Sequence, residues 1–357
     1  MKVAVYTIAL NEEQFVKPWF ESAKEADYLL IADTGSTDKT VKKAKALGIN
    51  VIPVNVKPWR FDTARNASLA AIPADIDYCI ALDMDEVLLP GWREELEKAF
   101  KEGSTRPRYQ YTWNWKDEAE TVPSLQYGGD KIHSRFGYRW KHPVHEVIVS
   151  YGGHKETQTW VGLEIHHHAD TSKPRSQYLP LLKQAVDEDP YDDRNAFYYA
   201  RELFFHGKRD DAIAEFKRHL ALPRAKWPPE RAASMRYLAK LDTVNTEDWL
   251  IKAINQSPGR RESMTELAML YYGRGDWENC YKWATDIVKI ETKPLDYLCE
   301  DFAWGAMPHD LAAISAFNLG KFDEALSYGE TAFKLDPEND RLKSNLTFYR
   351  SAASSPE

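Results

Sequence analysis

Three carboxylates follow directly after a short apolar segment at residues 78–82. Asp83, Asp85 and Glu86 lie within four residues of one another, and the first two would point to the same side of an extended chain. Clustered carboxylates at the end of a buried strand are unfavourable unless a cation neutralises them. A hard divalent ion such as Mn²⁺ or Mg²⁺, carrying a diphosphate, suits such ligands. An exposed acidic turn is the alternative interpretation of this segment.

Earlier segments of the chain share this organisation, in which an apolar strand runs into a polar loop. The expected elements are strands at 3–10, 28–32 and 50–54, with helices at 15–26 and 39–47. The first two strands run into polar loops that begin at Asn11 and Asp33. This alternation predicts a parallel sheet covered by helices, an α/β fold in which ligands gather at the carboxyl ends of the strands.

Four sequence strings occur in a fixed order over about the first ninety residues. They are T-I-A-L-N-E-E at 7–13, A-D-T-G-S-T-D at 32–38, W-R-F-D-T-A-R-N at 59–66 and A-L-D-M-D-E at 81–86. Together they resemble glycosyltransferase family 2, whose nucleotide-sugar-binding domain has the GT-A fold. The resemblance implies a metal-dependent enzyme that uses a nucleotide sugar, a UDP-sugar in the first place, and inverts the anomeric carbon by single displacement.

The resemblance also implies roles for individual residues. The residues it assigns to the nucleotide sugar are Ala9, Asn11, Glu12, Asp33, Arg65, Leu82, Asp83 and Met84. Ala9, Asn11 and Glu12 would border the base and ribose, and Asp33 would meet the uracil or the ribose. Arg65 would lie near the diphosphate or the base. A metal held by Asp83 and Asp85 would neutralise the leaving phosphate.

A downstream motif would supply the catalytic base. Residues 140–146, W-K-H-P-V-H-E, resemble the Val-His-Glu element of a branch of family 2 related to lipopolysaccharide-core glucosyltransferases and to transferases with tetratricopeptide tails. Glu146 occupies the place where many relatives carry a Glu-Asp pair, so the motif departs from that pattern. Glu146 would take the proton from the acceptor hydroxyl as its oxygen attacks the sugar.

A run of three histidines would close the metal site. By resemblance, His166 and His168 are the expected ligands, and they share one face of a strand; the sequence does not decide between that face and the one that carries His167. His142 and His145 suggest a separate zinc site as an alternative, but no further spaced ligand supports it.

The second half of the chain is dominated by the periodicity of amphipathic helices, and this pattern repeats. Glycines at 207, 275 and 320 each lie between a predicted helix with aromatic residues and a second predicted helix. The first two glycines are two tetratricopeptide periods apart. The spacing to the third glycine is longer than one period and implies an insertion around 295–304. We therefore predict a GT-A domain at 1–180, a tetratricopeptide-like helical domain at 181–350 and a flexible tail at 351–357. The helical domain would hold the acceptor, bind a protein partner or form a homodimer.

The composition of the chain limits which partners and which location we expect for the protein. The formal net charge is −8 over 357 residues, without a basic run, which disfavours general nucleic-acid binding. No apolar stretch has the length of a membrane span, and three scattered cysteines offer no disulfide framework. We therefore expect a cytoplasmic protein, with peripheral membrane attachment as an alternative. The acceptor could be a glycan, a lipid-linked glycan, a peptide or a nucleobase, and Trp113 or Trp115 could stack on a sugar.

Two other functions are compatible with the sequence. A catalytically inactive scaffold could bind a partner protein through its helical tail, although such a protein would be expected to have lost Asp83, Asp85 and Glu86. A nucleotidyltransferase on a related sheet would cleave between phosphates, but the first loop lacks the glycine-rich, lysine-bearing pattern that such enzymes usually show.

Overall fold

A computed structural model of the chain describes residues 1–170 and 178–354. The chain forms two compact units, Met1–Glu188 and Asp189–Glu357. Residues 355–357 of the predicted flexible tail lie outside the described residues, whereas 351–353 continue the last helix. Among the described residues, no helix combines the length and the apolar character needed to cross a membrane.

The first unit is an α/β domain. Its strands and helices are, in chain order, β1 (Val3–Ala9), α1 (Val16–Ala23), β2 (Tyr28–Asp33), α2 (Thr40–Ala46), β3 (Asn50–Pro53), α3 (Phe61–Ala70), β4 (Tyr78–Ala81), β5 (Glu86–Leu88), α4 (Trp92–Lys101), β6 (Arg106–Trp115), β7 (Pro123–Gly129), β8 (Ile132–Ser134), β9 (Tyr138–Lys141), β10 (Val147–Ser150), β11 (Gln158–His167) and α5 (Tyr178–Glu188). The predicted fold class, an α/β unit followed by an all-helical unit, is confirmed.

The main sheet has the strand order β3-β2-β1-β4-β8. The first four strands are parallel, and β8 pairs with β4 in the antiparallel direction. Alternate residues of β1 enter two separate hydrophobic cores, Val3 and Val5 on one face and Ala4 and Tyr6 on the other. Burial on both faces explains why these strands are continuous apolar runs in the sequence.

A second sheet, in the order β5-β11-β6-β7, continues from the acidic motif. Strand β5 begins at Glu86, immediately after that motif, and pairs with the end of β11. In this register His167 lies opposite Glu86, and His166 lies opposite Val87. The histidine run is therefore brought beside the acidic motif by strand pairing. A separate two-stranded ribbon, β9 with β10, carries the loop that contains Glu146.

The second unit is a series of helical hairpins. Its helices are α6 (Asp193–Phe205), α7 (Arg209–Ala221), α8 (Pro228–Leu241), α9 (Thr246–Gln256), α10 (Arg261–Arg274), α11 (Trp277–Val288), α12 (Met307–Asn318), α13 (Phe322–Leu335) and α14 (Asp340–Ala353), with a short 3₁₀ helix at Asp301–Ala303. The turn glycines Gly207, Gly275 and Gly320 all have positive φ, which favours glycine in a tight connection.

The spacing of the hairpins locates one insertion. The first helices of successive hairpins begin at residues 193, 228, 261 and 307, followed by α14 at 340. The interval before α12 is longer than the others, and the extra chain lies between α11 and α12. This agrees with the insertion that the sequence predicted around 295–304.

Candidate active site

The acidic motif forms a tight turn at the carboxyl end of β4. The backbone N–H of Glu86 donates to the carbonyl of Asp83 at 3.0 Å, and the Glu86 carboxylate accepts from the backbone N–H of Asp83 at 2.8 Å. The carbonyl of Leu82 accepts from the Trp19 indole at 2.9 Å. These bonds fix the backbone of the turn and the direction of the Glu86 carboxylate.

Asp83 lies between two cations. Its Oδ1 accepts from Arg65 Nη2 at 2.7 Å, and its Oδ2 accepts from Lys131 Nζ at 2.8 Å. Burial alone would raise the pKa of Asp83, but the positive charges of Arg65 and Lys131 outweigh it and hold that pKa well below its usual value. Asp83 is therefore a permanent anion whose two oxygens both already have cationic partners.

Lys131 also forms an ion pair with Glu86, which is only 1% exposed. Lys131 Nζ donates to Glu86 Oε1 at 2.6 Å, and the Tyr111 hydroxyl donates to the same oxygen at 2.5 Å. Burial would lower the pKa of Lys131, but Asp83 and Glu86 raise it well above its usual value. Lys131 follows β7, and its carbonyl accepts from the backbone N–H of Ala81. Pairing at the edge of β4 thus places this lysine beside the acidic turn.

Arg65 connects the acidic motif to Glu146. Its Nε donates to Glu146 Oε1 at 2.5 Å, while its Nη2 is bonded to Asp83. The guanidinium also lies over the Trp140 ring, 4.9 Å from the ring centroid. Its Nη1 is buried and has no hydrogen-bond partner among the described residues. A buried donor of this kind is normally satisfied by water or a ligand.

Helix α3 positions the loop that carries Glu146. The Asn66 side chain accepts from the backbone N–H of Trp140 and donates to its carbonyl, both at 2.9 Å, and the backbone N–H of Phe61 donates to the carbonyl of Pro143. His142 and His145 have positive φ values, 85° and 49°. Such values are uncommon for residues other than glycine and often occur at functional sites.

His167 is the histidine that faces Asp85. Its Nε2 lies 3.3 Å from Asp85 Oδ2, and its Nδ1 lies 2.8 Å from the Trp113 carbonyl. We assign a proton to Nδ1, since only a donor can bond a carbonyl, and Nε2 is then the ring nitrogen that faces Asp85. The Trp113 ring stacks on the imidazole at 4.3 Å between centroids and 9° between planes. Backbone and ring together fix the imidazole.

The two histidines named from the sequence contact other carboxylates. His166 Nε2 lies 2.9 Å from Glu164 Oε1, and His168 Nδ1 is hydrogen-bonded to Glu120. The backbone N–H of His168 donates to the carbonyl of Asp85 at 2.7 Å, so this residue anchors the turn through its main chain. Strand alternation explains the difference, because His167 points to the opposite side from His166.

The tryptophans predicted to stack on a sugar pack against these histidines. One face of Trp113 is covered by His167, and the Trp115 indole donates to the His167 carbonyl at 3.0 Å. Trp115 also has an edge contact with His166, with the ring centroids 4.7 Å apart. Both rings therefore support the histidine strand.

The residues assigned to the base and ribose lie where β1 and β2 end. Asn11 Oδ1 accepts from the backbone N–H of Thr37 at 2.8 Å, and the Asp33 carboxylate accepts from the backbone of Ser36. The backbone N–H of Glu12 donates to the Thr40 hydroxyl at 2.7 Å. These bonds join the two loops into one polar rim.

The other predicted nucleotide residues differ in exposure. The Ala9 carbonyl accepts from the backbone N–H of Thr34 at 2.9 Å, which joins the two strand ends. Leu82 buries its side chain completely in the core. Met84 and Asp85 line an open cavity of about 580 Å³, whose other walls include Phe15 and Pro18. The cavity provides space beside the acidic motif for part of a ligand.

The donor set near Asp85 fits a hard divalent ion. Within residues 1–170 and 178–354, no three His, Cys, Asp or Glu side chains converge on one point as a complete metal site. One carboxylate and one imidazole, Asp85 and His167, do converge. Mg²⁺ and similar ions often take only one or two protein ligands and complete their coordination with substrate phosphates and water. The pair therefore fits an ion that is bound jointly with a diphosphate.

The sequence left open which of His166, His167 and His168 faces the acidic motif, and it gave no role to Lys131 or Tyr111. Lys131 and Tyr111 are isolated in the sequence, far from the acidic motif, and no local pattern marks them. His167 was visible as part of the histidine run, but its orientation depends on the pairing of β11 with β5.

Comparisons with known proteins show what each part of the chain is similar to. Residues 4–171 match the family model for glycosyl transferase family 2. The chain is 33% identical over 100 residues to an uncharacterised glycosyltransferase of Rickettsia bellii and 34% identical over 100 residues to one of Rickettsia typhi, in each case over 28% of this chain and 33% of the relative. The chain thus spans about a third of the length of these curated relatives.

Solved structures resemble each unit only distantly. A tetratricopeptide protein, YrrB, described as having an unusual peptide-binding site, aligns with 49% of this chain and 85% of its own, at 15% identity and a TM-score of 0.39. Glucosyl-3-phosphoglycerate synthase from Mycobacterium tuberculosis, in complex with Mn²⁺, UDP and phosphoglyceric acid, aligns with 38% of this chain and 56% of its own, at 23% identity and a TM-score of 0.28. The family match covers residues 4–171, within the first unit, and shows that this part of the chain is similar to glycosyltransferase family 2.

Proposed function

We propose that this protein is a metal-dependent, inverting glycosyltransferase that moves a sugar from a nucleotide sugar, a UDP-sugar in the first place, to a hydroxyl of an acceptor. One observation carries the proposal: Asp85 and His167 converge at one end of the acidic turn, while Arg65 joins the other end to Glu146. In this proposal a metal-binding pair, a phosphate-binding cation and a base would lie side by side along the acidic turn and the ion pairs of Arg65.

Asp85 and His167 are the residues that would hold Mn²⁺ or Mg²⁺. When bound, the ion would neutralise the negative charge that develops on the leaving diphosphate. This assignment departs from the ligands expected from the sequence. Both oxygens of Asp83 already have cationic partners, so we give Asp83 the role of orienting Arg65 and Lys131.

Arg65 would contact the diphosphate directly. Its buried Nη1 has no partner among the described residues, and its charge is held in place by Asp83 and Glu146. A preorganised guanidinium stabilises developing phosphate charge without reorganising during the reaction. Asn11, Glu12 and Asp33, with the backbone of Ala9, would border the base and ribose. Leu82 would contribute only through its backbone, because its side chain is buried.

Glu146 would act as the general base. As the acceptor oxygen forms its bond to the anomeric carbon, the bond from that carbon to the diphosphate breaks, and the hydroxyl proton passes to Glu146. The ion pair with Arg65 would orient the Glu146 carboxylate before the acceptor arrives. The acceptor remains open among a glycan, a lipid-linked glycan and a peptide hydroxyl, and we propose a cytoplasmic location.

Thermal unfolding with nucleotides tests this proposal. UDP, GDP, CMP and dTDP are each added with and without Mn²⁺ to the unmodified protein, to Asp85→Ala and to the control His166→Ala. A ligand at about 100 times its Kd stabilises the folded protein by about 2.7 kcal/mol. We expect stabilisation by UDP that requires Mn²⁺, is lost in Asp85→Ala and persists in His166→Ala. Absence of stabilisation by every nucleotide would refute the proposal.

A further inference from the structure

The ribbon of β9 and β10 buries only one of its two faces. Tyr138, Trp140 and Ile148 lie in the hydrophobic core on one side of the main sheet. Arg139 on β9 and Val149 on β10 alternate with these residues, so they belong to the outer face, where they lie opposite each other in the strand register. Arg139 is exposed and Val149 is half-buried. The outer face therefore combines cationic and aliphatic side chains.

Two large aromatic side chains are exposed at the end of the ribbon that is remote from Glu146. Phe136 is 58% exposed and Tyr151 is 49% exposed. The backbone N–H of Tyr151 donates to the carbonyl of Gly137 at 3.0 Å, which extends the pairing of the strands by one residue. The His154 ring lies against Gly137, in the space that a Cβ would need. Both exposed rings therefore lie at the same end of the ribbon.

An arginine accompanies each of these rings. Arg135 Cζ lies 4.7 Å from the ring centroid of Phe136, and Arg139 Cζ lies 5.8 Å from that of Tyr151. Arg135 Nη2 also donates to the backbone carbonyl of Ile72 at 2.6 Å. All of these partners are neutral, so the contacts orient the two guanidinium groups without compensating their charge.

This segment is basic, although the chain as a whole is acidic. Residues 135–155 contain four Lys or Arg residues and one acidic residue, Glu146, whereas the formal net charge of the chain is −8. The Glu146 side chain is only 10% exposed and is paired with Arg65. Lys155 is exposed beside the aromatic end of the ribbon. We call the following residues the ribbon patch: Arg135, Phe136, Arg139, Val149, Tyr151 and Lys155.

We propose that the ribbon patch docks onto the surface of an anionic phospholipid bilayer. The rings of Phe136 and Tyr151 would enter the boundary between headgroups and acyl chains, where aromatic side chains are favoured. The cations around them would pair with the negative charges of the headgroups, and their aliphatic stems would lie along the apolar boundary. The exposed Phe136 ring favours a bilayer over a soluble polyanion, because a polyanion offers no apolar phase for it.

Docking does not depend on the proposed transferase activity, but the two together have a consequence for the acceptor. Glu146 lies in the loop that joins β9 to β10, and each of these strands has four residues. At the usual rise per residue, Glu146 is about 17 Å along the ribbon from Tyr151. A protein docked in this way would hold its proposed base near the bilayer surface. This consequence rests on the proposed function, and it selects the lipid-linked glycan among the acceptors left open above.

Co-sedimentation of the full chain with vesicles, without nucleotide or metal, tests the docking. The vesicles contain phosphatidylcholine alone or phosphatidylcholine mixed with phosphatidylserine. We expect binding to the mixed vesicles that weakens as salt is added, and much weaker binding to the neutral vesicles. Arg139→Gln/Lys155→Gln should weaken binding at least about tenfold, because each basic residue near such a surface strengthens binding about fivefold. Lys42→Gln/Lys45→Gln, which removes the same charge from the exposed side of α2, should change binding little.

A second pair of variants tests the aromatic contribution. Phe136→Ser removes an exposed ring from the ribbon patch, and Phe348→Ser removes a similarly exposed ring, 63% accessible, from α14. We expect binding to the mixed vesicles to weaken at least about fivefold in Phe136→Ser and to stay unchanged in Phe348→Ser. Equal binding by the patch variants and their controls would overturn the proposal. Binding to heparin without binding to vesicles would also overturn it, because the partner would then be a soluble polyanion.

Hydrogen–deuterium exchange locates the contact without any substitution. Mixed vesicles should slow the exchange of backbone amides at 135–137 and 151–155 and leave those of α2 unchanged. Slower exchange elsewhere, with these two segments unchanged, would overturn the proposal. Docking and the proposed function can fail separately. Vesicle binding by a protein that no nucleotide stabilises would support docking and refute the transferase, and stabilisation by UDP without vesicle binding would do the reverse.

Discussion

Removal of the Lys131 charge is the perturbation whose consequence the structure specifies most closely. Lys131→Met keeps most of the aliphatic stem but leaves Glu86, which is almost completely buried, without its cation. Among the described residues, the Tyr111 hydroxyl and the backbone N–H of Asp83 would remain as hydrogen-bond donors to that carboxylate. Asp83 would also lose one of its two cationic partners.

Breaking one side of a buried ion pair typically costs about 3–5 kcal/mol. The Lys131 side chain keeps 20% of its surface exposed, so water can replace part of its contribution. We therefore expect a loss near the lower limit, about 3 kcal/mol, which corresponds to about 6–12 °C in the melting temperature of a unit of this size. Most of this loss should return in Lys131→Met/Glu86→Gln, because a neutral side chain needs no cation.

Thermal unfolding of the three proteins by differential scanning calorimetry measures both effects. Lys2→Met is a matched control, since it removes the same kind of charge from the exposed ion pair with Asp75, and we expect no measurable change there. The reasoning is refuted if Lys131→Met unfolds at the same temperature as the unmodified protein, or if adding Glu86→Gln destabilises it further.

Three other predictions concern separate parts of the first unit. A Cβ at Gly129 would lie 2.2 Å from the Tyr109 ring, whereas one at Gly128 would lie no closer than 3.2 Å to any atom. We expect Gly129→Ala to lower the free energy of unfolding, measured by calorimetry, by about 3 kcal/mol, and Gly128→Ala to lower it much less. Equal effects of the two substitutions would contradict this packing. Burial lowers the pKa of His133 to about 4, so the unfolded chain binds more protons than the folded chain between pH 6.5 and pH 4. The unit should therefore lose about 3 kcal/mol of stability as the pH falls through that window. His133→Gln should flatten the pH dependence of stability, and an unchanged slope would argue against a neutral buried imidazole. Trp113→Leu should weaken Mn²⁺ binding in the presence of UDP by about tenfold, while Trp113→Phe, which keeps a ring on the His167 imidazole, should weaken it less. Calorimetric titration measures these affinities. Equal affinities in all the proteins would show that the ring has no positioning role.

The main sheet could be predicted from the sequence because its signals are local. The strands Val3–Ala9 and Tyr28–Asp33 are apolar runs that end in polar loops, and a parallel sheet buried on both faces requires such runs. Asp83, Asp85, Arg65 and Glu146 were predicted because their motifs occur in a fixed order, and the structure places Arg65 between Asp83 and Glu146.

The rest of the site depends on contacts between distant residues. His167 faces Asp85 because of the register between β11 and β5, and a shift of one residue would have presented His166 instead. Lys131 reaches Asp83 across 48 residues of sequence, through strand pairing that no local pattern encodes. The chain between α11 and α12 is similar: its length follows from the spacing of the hairpins, but its ion pairs with Arg236 and Arg260 could not be read from the sequence.

The central claim is that Asp85 and His167 together bind the metal that carries the nucleotide diphosphate. The most direct test is titration of Mn²⁺ in the presence of UDP, followed by electron paramagnetic resonance, on the unmodified protein, His167→Ala and the neighbouring control His166→Ala. The account predicts one UDP-dependent Mn²⁺ site that is lost in His167→Ala and kept in His166→Ala. Mn²⁺ binding that survives His167→Ala and disappears in His166→Ala would contradict it.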